Sequence, residues 1–255
     1  MRVVVKVGSS TLTYPSTGLL NIRRIESLCK VLSDIKNEGH EIIFVSSGAI
    51  AMGLGKLGLK EKPDSLCEKQ AIASIGQSEL MYTYDQLFSR YNHTIGQILV
   101  TKEDIEQRKE NCINTIEKLL NFNCIPIINE NDTISTSEIE IGDNDTLGAV
   151  VAKSLNAQLY IILSDIDGLY TSDPTKNSDA QLISVVNSID ESILVLASNS
   201  HSKVGTGGMI TKLQAAQIVT QAGCNMIIAN GKDPNILYDI MNHKEVGTLF
   251  KGVKV

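Results

Sequence analysis

The strongest chemical signal in this sequence is a glycine-rich run that leads directly into a helical pattern. It reads Gly205-Thr206-Gly207-Gly208-Met209-Ile210-Thr211-Lys212. Glycines let backbone N–H groups approach an anion, a helix start offers unpaired N–H groups, and a lysine adds a mobile positive charge. The order differs from that of a Walker loop, in which the lysine precedes the Ser or Thr. The run predicts a phosphate-binding loop, although a plain flexible glycine loop stays an alternative on this segment alone.

A second charged group interrupts an apolar strand pattern near the N-terminus. Lys6 stands between Val5 and Val7, at the end of a valine run that begins at Val3. Because an unpaired ammonium is costly to bury, we expect Lys6 to reach an anion or a carboxylate.

Short apolar runs alternate with helical patterns along the chain. The runs are rich in Val, Ile or Leu and lie at 3–7, 41–46, 94–100, 124–128, 159–163 and 225–229. Helical periodicity covers 22–35, 71–88, 113–120, 147–155 and 213–219, with Asn21 placed to cap the first helix and Gly39 just past its end. The alternating stretch 134–141 predicts a β-hairpin. This pattern predicts an α/β fold, a three-layer αβα sandwich with a mainly parallel central sheet, as a single domain over 1–255.

Polar residues follow almost every predicted strand. Ligands of open α/β sheets bind beyond the carboxyl ends of the strands, so these residues are candidate site residues. They are Gly8-Ser9-Ser10, Ser46-Ser47-Gly48, Asn129-Glu130-Asn131-Asp132 and Ser164-Asp165, together with Gly142-Asp143-Asn144-Asp145 at a helix start. Taken singly, each has a structural alternative, because Ser, Asn and Asp also cap helices and compensate helix dipoles.

Composition restricts the class of protein. The 255 residues include 42% hydrophobic residues, enough to bury a substantial core. A net charge of −6 and the lack of a basic stripe argue against a general nucleic-acid or membrane surface. The five scattered cysteines predict buried free thiols in a reducing compartment. Because the sequence shows neither a signal peptide nor a membrane-length apolar run, we expect a cytoplasmic location.

Several of these motifs together resemble the amino acid kinase family. The resemblance rests on Val5-Lys6-Val7-Gly8-Ser9-Ser10, on the Asp-x-x-Gly-Leu-Tyr-x-x-Asp-Pro run from Asp165 to Pro174, and on the Gly-Thr-Gly-Gly-Met-x-Thr-Lys run. Ser46-Ser47-Gly48-Ala49-Ile50, Asn129-Glu130-Asn131-Asp132 and Gly142-Asp143-Asn144-Asp145 look like the branch of this family that phosphorylates glutamate. The resemblance covers essentially the whole chain in the right order.

The resemblance implies ATP-dependent phosphorylation of the γ-carboxylate of L-glutamate, the committing step of proline biosynthesis. It implies catalytic roles for Lys6 and Lys212, and Asp145 is the carboxylate we expect to organise them. It carries Ser47, Asp132 and Asn144 over as substrate contacts. The implied ATP-binding residues are Lys6, Ser164, Asp165, Thr206, Gly207, Gly208, Met209, Ile210, Thr211 and Lys212. Mg²⁺ is expected through the ATP phosphates, without a metal site of the protein itself.

The resemblance also implies an organisation and a set of partners. We expect residues 1–150 to form the acceptor lobe and residues 151–255 the nucleotide lobe. We expect a homo-oligomer, feedback inhibition by L-proline, and no nucleic-acid or membrane partner. Many members of this branch carry an additional C-terminal domain of the PUA type, so this chain is expected to be the short form. The alternatives are another kinase of the family, such as one acting on acetylglutamate or carbamate, and a non-catalytic nucleotide-sensing module.

Overall fold

The computed structural model describes residues 1–14, 17–135, 144–198 and 208–253. Eight strands in these ranges form one sheet: β1 (Arg2–Val7), β2 (Glu41–Ser46), β3 (Ile95–Val100), β4 (Ile125–Glu130), β5 (Leu159–Ser164), β6 (Val185–Val186), β7 (Asn225–Asn230) and β8 (Thr248–Phe250). The spatial order is β3-β4-β2-β1-β5-β7-β8-β6. All neighbouring strands are parallel except β7 and β8, which are antiparallel. The predicted α/β fold with a mainly parallel sheet is confirmed.

Ten helices connect the strands within the described ranges. They are α1 (Ser9–Leu12), α2 (Ile22–Asn37), α3 (Ala49–Leu57), α4 (Leu66–Ser89), α5 (Lys102–Gln107), α6 (Lys109–Asn121), α7 (Asn144–Ser154), α8 (Glu191–Ser198), α9 (Met209–Thr220) and α10 (Ile236–Met241). The predicted cap of α2 is present, because the Asn21 side chain accepts a hydrogen bond from the backbone N–H of Arg24 at 3.1 Å. None of the described helices is long and apolar enough to cross a membrane.

Two hydrophobic core clusters lie on opposite faces of the sheet. Alternate residues of β1 divide between them, with Val3, Val5 and Val7 in one cluster and Val4 in the other. Because side chains of a strand alternate between its two faces, Lys6 projects to the face of Val4, which α7 and α9 cover.

Some expectations fall outside the described residues or need correction. Most of the predicted hairpin at 134–141 lies outside the described ranges, as do Asp143, Thr206 and Gly207. The five cysteines are free thiols, but only Cys29 and Cys224 are buried, and Cys67 is exposed. The expectation that all five are buried was wrong, because a helical pattern does not show that the start of α4 faces solvent.

Candidate active site

The centre of the candidate site is a carboxylate held between two lysines. Asp145 Oδ1 forms an ion pair with Lys6 Nζ at 2.5 Å. Asp145 Oδ2 accepts a hydrogen bond from Lys212 Nζ at 3.1 Å. All three residues are buried, with exposed fractions of 8% for Lys6, 1% for Asp145 and 5% for Lys212. The structure therefore brings together the three residues expected to be catalytic, and we call them the charge triad.

Three different elements supply the charge triad. Lys6 comes from the central strand β1, Asp145 from the first turn of α7, and Lys212 from the first turn of α9. The hydroxyl of Tyr160, on β5, donates a hydrogen bond to the backbone carbonyl of Asp145 at 2.8 Å. The neighbouring strand thus fixes the helix start that carries the carboxylate.

The electrostatics of the triad keep Asp145 ionised. Burial alone would raise the pKa of its carboxyl group, but the ammonium groups of Lys6 and Lys212 outweigh this effect and lower the pKa to about 2. An opposite charge within a few ångströms favours the charged form of a carboxyl group in this way. The triad therefore holds two ammonium groups and one carboxylate, which leaves one net positive charge in a buried place.

The start of α9 adds backbone donors beside the triad. Gly208 is its N-cap residue, and a glycine has no side chain that could cap the helix. The hydroxyl of Thr211 lies 2.9 Å from the Gly208 carbonyl and 3.2 Å from Asp145 Oδ2. Residues Gly208, Met209, Ile210, Thr211 and Lys212 of the predicted ATP loop form this cap and first turn. An uncapped helix start next to two ammonium groups is an arrangement suited to an anion.

A second cluster adjoins the triad through Asn144, the residue before Asp145. Its Nδ2 donates to Ser47 Oγ at 2.8 Å, to Asn129 Oδ1 at 3.1 Å and to the Ser46 carbonyl at 3.3 Å. Its Oδ1 is buried and has no hydrogen-bond partner among the described residues. An orphaned buried acceptor is costly, so this atom is suited to receive a donor from a ligand. We call Asn144, Ser47, Ser46 and Asn129 the amide cluster.

The turn after β2 places Ser47 in this cluster. Gly48 has φ +109°, a left-handed conformation that favours glycine, and it forms the N-cap of α3. The backbone N–H of Ser47 donates to the Val7 carbonyl at 3.2 Å, which joins the carboxyl ends of β1 and β2. The turn therefore positions the Ser47 hydroxyl beside the end of the strand that carries Lys6.

The remaining predicted site residues lie at neighbouring strand ends. Asp132 follows β4 and is near enough to Lys62 to favour the charged form of that lysine. Burial is the larger influence and lowers the pKa of Lys62. Ser164 ends β5, and its hydroxyl donates to Asp165 Oδ1 at 3.1 Å. Asp165 itself is exposed.

Sequence reasoning left two residues of the site without a role. Asn129 belongs to a quoted motif, but its position in the amide cluster depends on contacts with distant segments. In the sequence, Tyr160 looks like an ordinary residue of the apolar run that forms β5. Gly148 is the only sequence signal beside it, since a Cβ at that position would lie 2.4 Å from the Tyr160 hydroxyl.

Comparison with known proteins agrees with this geometry. The model of the amino acid kinase family matches residues 1–230. Two solved structures share the fold: isopentenyl phosphate kinase of T. acidophilum, with a TM-score of 0.67 and 17% identity over 98% of this chain and all of that one, and UMP kinase of Bacillus anthracis, with a TM-score of 0.64 and 16% identity over 99% and 96%. The chain belongs to the amino acid kinase family.

Within this family the chain is similar to glutamate 5-kinases. It is 52% identical over 255 residues to the glutamate 5-kinase of Clostridium tetani, covering 99% of this chain and 95% of that protein. It is 50% identical to the glutamate 5-kinase of Listeria innocua, covering 99% and 94%.

Proposed function

We propose that this chain transfers the γ-phosphoryl group of ATP to the γ-carboxylate of L-glutamate, giving L-glutamyl 5-phosphate and ADP, the first step of proline biosynthesis. The observation that carries the proposal is the buried charge triad beside the amide cluster. The similarity to glutamate 5-kinases over nearly the whole chain supports this choice of substrate.

The chemistry needs positioning and charge more than proton transfer. The side-chain carboxyl of glutamate has a reference pKa of about 4.3, so it is already an anionic nucleophile at neutral pH. One of its oxygens forms a bond to the γ-phosphorus while the bond from that phosphorus to the bridging oxygen breaks, and ADP leaves with the electron pair. No general base is required, and the barrier is the approach of two anions and the charge of the in-line transition state.

Each part of the site has a role in this scheme. Lys6 and Lys212 stabilise the negative charge of the transferring group, and Asp145 orients both ammonium groups. Asn144 Oδ1 accepts a hydrogen bond from the α-ammonium of glutamate. Ser47 contacts the α-carboxylate, and Asp132 pairs with the α-ammonium.

The nucleotide binds on the other side of the triad. The uncapped start of α9 and the loop before it bind the ATP phosphates, and Ser164 and Asp165 lie on the nucleotide side. The division into an acceptor lobe at 1–150 and a nucleotide lobe at 151–255 belongs to this proposal. The cytoplasmic location, the short form and the homo-oligomer stay predictions.

The proposal includes a magnesium ion that arrives with the nucleotide. Both oxygens of Asp145 are committed to lysines, so this carboxylate does not offer a magnesium ligand. Within the described ranges, no three His, Cys, Asp or Glu side chains form a group that could hold a metal. We propose that Mg²⁺ binds through the ATP phosphates, where it offsets their charge.

Glutamate-dependent ADP formation by the purified protein with MgATP tests the proposal. Hydroxylamine in the same reaction converts an acyl phosphate to a hydroxamate, which identifies the acceptor atom as a carboxylate. N-acetyl-L-glutamate is the matched control, because it keeps the γ-carboxylate and removes the α-ammonium. Turnover with L-glutamate and little with the acetylated form is expected. Preference for N-acetylglutamate or carbamate would move the chain to another branch of the family, and ATP binding without turnover on any acceptor would favour a nucleotide sensor.

A further inference from the structure

A buried glutamine on α4, Gln77, forms a hydrogen bond with Asn129 of the amide cluster. Gln77 Oε1 accepts a hydrogen bond from Asn129 Nδ2 at 2.9 Å. Gln77 and Asn129 are 8% and 2% exposed. Close helix packing brings Gln77 there, because a Cβ on the adjacent Gly76 would lie 1.8 Å from the Ala49 carbonyl of α3. Only glycine allows α4 to approach the turn after β2 so closely.

The direction of each amide in this chain of contacts is determined by one backbone group. The N–H of Glu130 can only donate, and it donates to Asn129 Oδ1 at 2.8 Å. Asn129 Nδ2 must then face Gln77, and Asn129 Oδ1 accepts from Asn144 Nδ2 at 3.1 Å. With its Nδ2 committed to acceptors, Asn144 keeps its Oδ1 as the end without a partner among the described residues.

We infer that Gln77 is a positioning residue for the acceptor substrate: it holds Asn129, and through Asn129 it holds Asn144 with Oδ1 free to accept from the substrate. The inference rests on the proposed function for the identity of that substrate as glutamate. If Gln77 accepted no bond, the buried Asn129 Nδ2 would lose its acceptor, and the Glu130 N–H would hold the Asn129 amide at its oxygen end only. Asn129 would then shift from the position in which its Oδ1 accepts from Asn144 Nδ2, and Asn144 Oδ1 would no longer be held toward the substrate.

The test compares three variants of the full chain. Gln77→Leu removes the acceptor at similar size, and Gln77→Glu keeps an acceptor oxygen. Ile72→Val loosens the same helix at a buried position outside the hydrogen-bonded series Gln77–Asn129–Asn144, which we call the relay. We expect Gln77→Leu to raise the KM for glutamate about 10-fold, as for loss of one buried hydrogen bond, with the KM for ATP nearly unchanged. Gln77→Glu should keep the KM for glutamate within about 3-fold of wild type, because it retains an acceptor oxygen for Asn129 Nδ2.

A second measurement does not need turnover. The side-chain amide resonances of Asn129 and Asn144, observed by nuclear magnetic resonance, should shift in Gln77→Leu and stay in place in Ile72→Val. If wild-type protein does not turn over glutamate, the proposed function fails. These resonances still test whether Gln77 positions Asn144 through Asn129. Unmoved Asn144 resonances in Gln77→Leu would overturn the inference. So would a rise in both KM values, or an equal rise in KM for Ile72→Val, because either result indicates general loosening of the helix.

Discussion

Replacement of Asp145 by Asn tests the charge triad most directly. The substitution keeps the shape of the side chain but removes the carboxylate that pairs with two buried ammonium groups. Loss of one partner from a buried ion pair typically destabilises a protein by about 3–5 kcal/mol. For a domain of this size, the melting temperature should fall by about 10 °C. The turnover number should fall by on the order of 100-fold or more, because both lysines lose their orientation.

A surface ion pair provides the matched control. Glu79 pairs with Lys56, and their side chains are 31% and 53% exposed. Glu79→Gln removes a carboxylate of the same kind where water screens the charges, so its effect on the free energy of unfolding should stay below about 1 kcal/mol.

Inorganic pyrophosphate provides a second test of the Asp145→Asn prediction. It should raise the melting temperature of Asp145→Asn more than that of wild type, because an anion replaces the missing charge.

The difference in stability between wild type and Asp145→Asn should depend on pH, in a direction that the pKa of Asp145 determines. The pKa of Asp145 is about 2 in the folded protein, below the value of about 3.9 expected for an unfolded chain. A carboxyl group whose pKa is lower in the folded state than in the unfolded state stabilises the folded protein. This stabilisation is complete above the pKa of the unfolded state and is lost as the pH falls through the pKa of the folded state. The total is about 2–3 kcal/mol. The difference in unfolding free energy between wild type and Asp145→Asn should therefore narrow by about 1 kcal/mol from pH 5 to pH 3. A variant as stable as wild type, or a difference independent of pH, would refute the reasoning.

Three further predictions concern the two sides of the site. Lys6→Ala and Lys212→Ala should each lower kcat by on the order of 100-fold with a smaller loss of nucleotide affinity, and near-normal kcat in a folded Lys6→Ala variant would contradict the mechanism. Asp132→Ala should raise the KM for glutamate and leave that for ATP unchanged; a parallel loss of ATP affinity would assign Asp132 to the nucleotide or metal. L-Proline shares the α-carboxylate and α-nitrogen of glutamate and should inhibit in competition with it. Initial rates over a grid of both concentrations test this, and inhibition that persists at saturating glutamate would require a second site.

The positions of the longer strands were largely predictable from the hydrophobic pattern of the sequence. The six predicted strands agree with the observed bounds to within two residues, because buried parallel strands read as continuous apolar runs. The two short strands β6 and β8 were missed, since two and three residues are too few to show a pattern. The start of α3 was predicted only as a capping alternative, because Gly48 by itself does not indicate a helix after a left-handed turn.

Contacts within the site were predictable in part. A lysine inside a valine run needs a counter-charge, and Lys6 does reach a carboxylate. The catalytic and binding roles of the predicted site residues stay predictions. The relay from Gln77 to Asn144 was not visible in the sequence. Helical spacing indicates that Gln77 lies on the buried face of α4, but it does not identify Asn129, 52 positions away, as the partner.

The number of carboxylates in the triad matters as much as their position. Two buried ammonium groups with no carboxylate would repel each other, and two carboxylates would cancel the charge that a phosphoryl group needs. A single carboxylate, with one oxygen turned to each lysine, holds both ammonium groups and gives these three side chains a net charge of +1. Because water is largely excluded at this depth, that charge acts on a bound anion with little screening. In the proposed mechanism, the net positive charge of the triad therefore stabilises the negative charge that is spread over the transferring phosphoryl group and the leaving oxygen in the transition state.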